Sequence, residues 1–332
     1  MERDNMIKNI VILILFLGLV LTISLNFNHK KGDVTVEQST KEMDRSSYTP
    51  PFKVIFIAHD YGADFFRPVE QGMNDACKLV NAECMFIGPA QFSPREQIAL
   101  IEASIAQQPN VIVTTRAGPG ELYTSAIRKA LDANINVMIF NTNIPSAQSS
   151  IPLPFFGQDL SNYGEIWAKE VMRDLPDGGD IAILHATPGH YATELRLSSF
   201  QKYLAENGQG KWTIRDVLSP ATQDEDKLLA VIKAYHEENP DIKAIYGDDY
   251  YSHLLAIYVG RNNLKGKLKI GGADLGPGFI EGLDKGYVSF ALDQTPYLQG
   301  FQPVISAFLL TQKGIKIDHI DTGTTVIRPV HK

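Results

Sequence analysis

What most constrains this chain is an alternation, run through twice, between short continuous apolar runs and longer stretches with helical spacing. Lys53 to Ala58 (KVIFIA), Cys84 to Ile87, Val111 to Thr115 and Val137 to Phe140 are the short runs of the first round. Between them, Arg67 to Val80, Pro94 to Gln107 and Leu122 to Ala133 carry apolar residues at helical intervals, with Ser93 placed to cap and Pro94 at the first helical position. A strand that is apolar on both faces is buried on both faces. That is the pattern of a parallel sheet flanked by helices, and right-handed crossovers then leave a doubly wound sheet.

The second round has strands at Asp180 to His185, Trp212 to Val217, Ala244 to Tyr246, Lys269 to Gly271 and Val288 to Leu292. Its helices are Asn162 to Leu175, Thr193 to Asn207, Glu225 to Asn239, Ser252 to Arg261 and Gly278 to Lys285. A last helix, Leu298 to Gln312, precedes a tail strand, Thr324 to Arg328. With 332 residues, the chain is long enough for two lobes of ordinary size. The expectation is an α/β protein of two doubly wound parallel-sheet lobes, with a ligand site outside the carboxyl ends of the strands.

A net charge of −7, with no basic run longer than His29-Lys30-Lys31, excludes a nucleic-acid surface. Ile10 to Leu25 is apolar, follows Arg3 and Lys8, and lies between a signal-peptide core and a full membrane span in length. Residues 1–31 therefore read as a signal peptide or membrane anchor, the anchor occupying 10–27, and the body as periplasmic or extracytoplasmic. The first cysteine is Cys77, so no lipid-anchor cysteine stands near residue 25. Residues 32–51 are polar, rich in Ser and Thr, and end in Pro-Pro, which is the composition of a linker. Cys77 and Cys84 stand close enough for a disulfide, but spacing alone leaves open whether they form one or pack as two buried thiols.

The strand ends carry polar and aromatic groups. They are Asp60 to Phe66, Asn141-Thr142-Asn143, His185 with His190 and Tyr191, Asp248 to Tyr251, Asp274, and Asp293-Gln294, with Arg196 one turn into a helix. Each alone suits a helix cap or a loop. Together they match a sugar, whose hydroxyl edges need donors and acceptors and whose C–H faces need rings. Enzyme signatures are missing: Gly118-Pro119-Gly120 puts Tyr123 where a third phosphate-loop glycine belongs, and there is no Walker lysine or nucleophile elbow. His185 with His190, and Asp248 and Asp249 with His253, lack the spacing of a metal set. No catalytic residues, cofactor or metal are expected.

From Phe52 onward the chain resembles the type I periplasmic sugar-binding proteins, the ribose-binding-like subunits of ABC importers. The likeness rests on Arg95-Glu96-Gln97-Ile98, Gly157-Gln158-Asp159 and Tyr246-Gly247-Asp248-Asp249, and most specifically on Gly271-Gly272-Ala273-Asp274-Leu275 and Leu292-Asp293-Gln294-Thr295-Pro296. The resemblance implies that Phe65 and Phe66 line the sugar ring with Asp64 beside them. It implies that Asn141 bonds from the first lobe where many members carry Asp followed by Arg, and that Arg196, Asp274 and Gln294 complete the set. Asp248 compensates for Gly247, which stands where ribose binders often carry Asn.

The resemblance also implies three crossings between lobes, near Gly157 to Asp159, Asp293-Gln294 and Asp318 to Gly323. The first lobe is then 52–157 plus 294–318 and the second 158–293 plus 319–332. The implied function is capture of a monosaccharide for an ABC permease. The alternative is a membrane-tethered sensing subunit with a histidine kinase or chemoreceptor as partner. A repressor on this fold would need a helix-turn-helix in the first fifty residues, which hold an apolar segment and a polar linker instead.

Overall fold

The computed structural model describes residues 51–118, 120–143, 151–220 and 222–330. The leader, its anchor segment and residues 32–50 of the linker lie outside the described residues. Within the described residues no helix is long and apolar enough to cross a membrane.

The first sheet contains β1 (Lys53–Ile57), β2 (Glu83–Ile87), β3 (Val111–Thr114), β4 (Asn136–Phe140), β5 (Phe155–Gly157) and β11 (His319–Asp321), in the order β11-β5-β4-β3-β1-β2. The second contains β6 (Gly179–Leu184), β7 (Trp212–Leu218), β8 (Ala244–Gly247), β9 (Lys269–Ala273), β10 (Phe290–Asp293) and β12 (Thr325–Ile327), in the order β12-β10-β9-β8-β6-β7. All pairings are parallel except that of β12 with β10. Both sheets therefore reverse their winding direction between the first and third strands of the lobe: β1 and β3 in one, β6 and β8 in the other. Strand ends diverge at such a point and leave a crevice.

The helices are α1 (Phe66–Val80), α2 (Pro94–Ile105), α3 (Gly120–Asp132), α4 (Tyr163–Asp174), α5 (Tyr191–Asn207), α6 (Glu225–Glu238), α7 (His253–Arg261), α8 (Pro277–Lys285) and α9 (Pro296–Lys313). They cover both faces of each sheet. Val54, Phe56, Val69, Met73 and Phe140 belong to the core on one face of the first sheet, and Ile55, Ile57, Ile112 and Tyr123 to the core on the other. Each such side chain contributes about 1.5–3 kcal/mol by leaving water, which explains why β1 and β3 are apolar between Lys53 at the start of one and Thr114 at the end of the other. The caps follow the sequence. Ser93 accepts from the Glu96 amide at 3.3 Å, and Pro277 opens α8, which Gly286 closes in the left-handed region.

Helix α9 leaves the second sheet after β10 and docks on α1 of the first lobe. Two glycines allow this crossing. A Cβ on Gly300 would stand 1.8 Å from the Val69 carbonyl oxygen, and one on Gly72 would stand 2.1 Å from that of Tyr297. Backbones this close leave no space for a side chain, so the return of the chain into the first lobe depends on both.

Two short strands, β5 and β11, escape the sequence pattern. Both have three residues, and β11 is exposed at the sheet edge with polar residues at its two ends. The pairing of His319 to Asp321 with β5 corrects the expected boundary. The first lobe extends through Asp321, not Asp318, and the last crossing falls between Asp321 and Thr325. Cys77, at the end of α1, and Cys84, in β2, are joined as a disulfide with Cα atoms 6.3 Å apart.

Candidate functional site

The two switch points face each other across a cleft of about 670 Å³, counting its open mouth. The loop after β1 supplies His59, Asp60, Phe65 and Phe66, and the end of β4 supplies Asn141. From the other side come Arg196 on α5, Asp249 after β8 and Asp274 after β9, with Gln294 at the crossing after β10. Asn141 and Asp274 both have positive φ, at 58° and 67°. Asn and Asp tolerate this region better than other non-glycine residues, and it turns their side chains off the strand axis at the strand end.

Arg196 is buried, its guanidinium 4.9 Å above the Tyr163 ring. Nη1 donates to the Asp248 carbonyl at 3.0 Å and Nη2 to Gln158 Oε1 at 2.9 Å, while Nε has no hydrogen-bond partner. Gln158 in turn donates to Thr324 at 2.8 Å, so the arginine is braced by two of the three crossing segments. Gln294 donates to Asp274 Oδ1 at 2.7 Å and accepts from Asn141 at 3.2 Å and from Gln299 at 3.0 Å. Burial raises the Asp274 carboxyl above its ordinary range against the pull of Arg196 and Gln294.

Six of the eight residues expected at the site line the cleft: Phe65, Phe66, Asn141, Arg196, Asp274 and Gln294. Two do not. The Asp64 side chain is 67% exposed and faces Arg67 at 3.8 Å; it stands in the turn leading into α1, at the outer rim of the crevice near Gln223 and Tyr250 and not on the cleft wall. Asp248 is fully buried beneath the cleft, where its Oδ2 accepts from His185 Nδ1 at 2.6 Å. Although burial opposes its charge, the bonds to Asp248 and to Glu194 push His185 up to about 9. That cation holds the loop ahead of α5, since Glu194 also accepts from the Gly189 amide at 2.7 Å.

Besides Asp274, two further carboxylates line the cleft, Asp60 and Asp249. Burial pushes Asp60 up to about 6. Burial and then the adjacent Asp248 charge push Asp249 up to about 7. Both belong to the strand-end set of the sequence. For Asp249 strand parity was the available signal, because successive side chains at a strand end point to opposite sides; Asp60 and Asp64, four apart across a turn, gave none. His190, also missed, lies between the lobes with its ring centroid 4.9 Å from His59 and 5.6 Å from Phe92. Neither of its ring nitrogens has a hydrogen-bond partner.

The family model described as "Periplasmic binding protein domain" matches residues 54–314. A xylose/arabinose-binding protein, XylF, of Sulfolobus acidocaldarius is 29% identical over 293 residues, covering 84% of this chain and 71% of the relative. A solute-binding protein of an ABC transporter from Agrobacterium vitis, bound to α-D-tagatopyranose, aligns with TM-score 0.74 and 25% identity over 84% of this chain and 95% of its own. A periplasmic solute-binding protein from Actinobacillus succinogenes with D-allose aligns with TM-score 0.76 over 84% of this chain and 98% of its own, and at 21% identity it speaks for the fold alone.

Proposed function

Since the chain belongs to the periplasmic binding protein family, we propose that it captures an uncharged monosaccharide outside the cytoplasm and presents it to an ABC importer. One observation carries this reading: each lobe brings part of a hydrogen-bonding set to the same crevice, with ring faces from Phe65 and Phe66 beside it. Carboxylates at Asp60, Asp249 and Asp274 accept from sugar hydroxyls, Arg196 Nε donates, and the phenyl rings cover the C–H face. The role is binding, not catalysis.

Ligand shifts the equilibrium between open and closed lobes only through its greater affinity for the closed one. A sugar touching both lobes at once supplies that difference. One relative is a xylose/arabinose-binding protein and another is a solute-binding protein of an ABC transporter that holds α-D-tagatopyranose, which favours the importer over the sensor alternative. The apolar run Ile10 to Leu25 supports export, as a cleaved signal or as a retained tether over residues 10–27. Titration calorimetry of the full-length chain against D-xylose, L-arabinose, D-ribose, D-allose, D-tagatose and D-glucose is the test. Saturable heat with at least one of them is expected, and no binding to any overturns the reading.

A further inference from the structure

We infer that His59 and His190 form a proton-sensitive contact between the lobes, which favours the closed cleft when both rings are neutral and releases it as they protonate. This rests on the sugar-capture reading for its use, but not for its physics. His190 comes from the second lobe, on the loop before α5, and His59 from the first, just after β1. Their centroids are 4.9 Å apart, and Phe66 and Phe92 stand edge-on to His59 at 5.2 and 5.7 Å. His59 Nδ1 meets only the Thr115 hydroxyl, at 3.0 Å. The contact is therefore nearly all ring against ring, and a charge placed in it has little to solvate it.

The groups around the pair do not favour a proton. On the second lobe, Arg196 and the His185 cation face His190, and both repel a further positive charge. Glu194 attracts one, but it is already bonded to His185 and the Gly189 amide. On the first lobe Phe66, Phe92 and Thr115 carry no charge, and Asp60 follows His59 in the chain. Burial first, then Arg196 and His185, push His190 down to about 3, and burial and then His190 push His59 well below its ordinary value.

In the open form both rings regain water and return towards about 6.5. Below that pH, closing must expel a proton from each ring, at about a tenfold cost in the closed-to-open ratio per ring per pH unit. Asp60 and Asp249, whose carboxyls are raised in the closed cleft, act in the opposite direction. The histidine contribution is therefore read as a difference between wild type and a variant that keeps the ring.

Spin labels at Gln91→Cys and Asp226→Cys, exposed positions on opposite lobes, report the interlobe distance of the full-length chain without ligand. Electron–electron resonance distances would be compared between pH 7.5 and 5.5 for wild type, His190→Phe and His59→Phe. The wild type is expected to lose closed population on acidification, relative to either variant, by about tenfold in the closed-to-open ratio at pH 5.5. Calorimetry with D-xylose over the same range should show the same extra tenfold weakening in the wild type. An identical pH response in wild type and both variants overturns the inference. Absence of D-xylose heat bears on the sugar reading and leaves the distance arm to judge the contact.

Discussion

Asn141 donates its side-chain amide to Gln294 Oε1 across 3.2 Å, and so ties the end of a first-lobe strand to the segment where the chain crosses between lobes. The same glutamine donates to Asp274 of the second lobe at 2.7 Å. One amide thus reads both lobes, and its orientation is fixed because Gln299 also donates to its oxygen. Gln294→Glu replaces the donor facing Asp274 with a second carboxyl. Losing a bond to a charged group and adding a like charge costs about 2–3 kcal/mol, so calorimetry should show affinity falling roughly a hundredfold. Affinity within threefold of wild type would remove Gln294 from the site.

Arg196→Lys tests whether a fork or only a charge is required. Lysine keeps the cation but cannot reach the Asp248 carbonyl, Gln158 and a ligand from one plane, and it stacks less well on Tyr163. Sugar affinity is expected to fall about a hundredfold, corresponding to about 2–3 kcal/mol for charge-assisted bonds. Circular dichroism should remain that of the folded chain. A lysine variant with wild-type affinity would show that charge alone suffices.

Asp64→Ala is expected to change sugar affinity by less than about twofold, since its exposed carboxylate lies at the rim and pairs with Arg67, and such surface pairs contribute about 0–1 kcal/mol. Asp60→Ala, one turn earlier and buried at the cleft, is expected to weaken binding at least tenfold. Paired calorimetric titrations of the two variants check both, and equal losses would show that the loop takes another conformation when ligand binds.

The contrast between Asp64 and Asp60 shows what the sequence could reveal. The alternation of apolar runs was enough to read two α/β lobes, because strands buried on both faces leave an unmistakable signal. Motif position, which preserves where a strand ends, was enough to bring Arg196, Asp274 and Gln294 to the wall of one cleft. Which of two nearby acids faces the crevice depends on the local turn after the strand, so the sequence does not separate Asp60 from Asp64 or Asp249 from Asp248, and the cleft wall carries Asp60 and Asp249. The three-residue strands β5 and β11 gave too short a pattern to read. His190 was seen as a strand-end group, but its partners His59 and Phe92 are brought to it only by the meeting of two lobes.

Asp249 offers a test in which the sign of a pH effect is fixed in advance. Its carboxyl is raised from 3.8 to about 7, by burial and then by Asp248, so the folded protein holds a proton that the unfolded chain has already released. Between those two values the unfolded state ionises first, and stability falls as pH rises through about 7. Below 3.8 the proton is held in both states and the effect vanishes; above about 7 the loss is complete and constant. Asp249→Asn removes this dependence, since an amide never ionises, and its oxygen can still accept from the Tyr251 amide as Oδ1 now does at 2.9 Å. Melting temperatures of variant and wild type should therefore converge on a constant offset near pH 4. The variant should gain relative to wild type as pH rises to 7, by an amount on the order of a few kcal/mol, and level off above it. A difference that is flat from pH 4 to 8 would place Asp249 in water, outside the buried wall of the cleft.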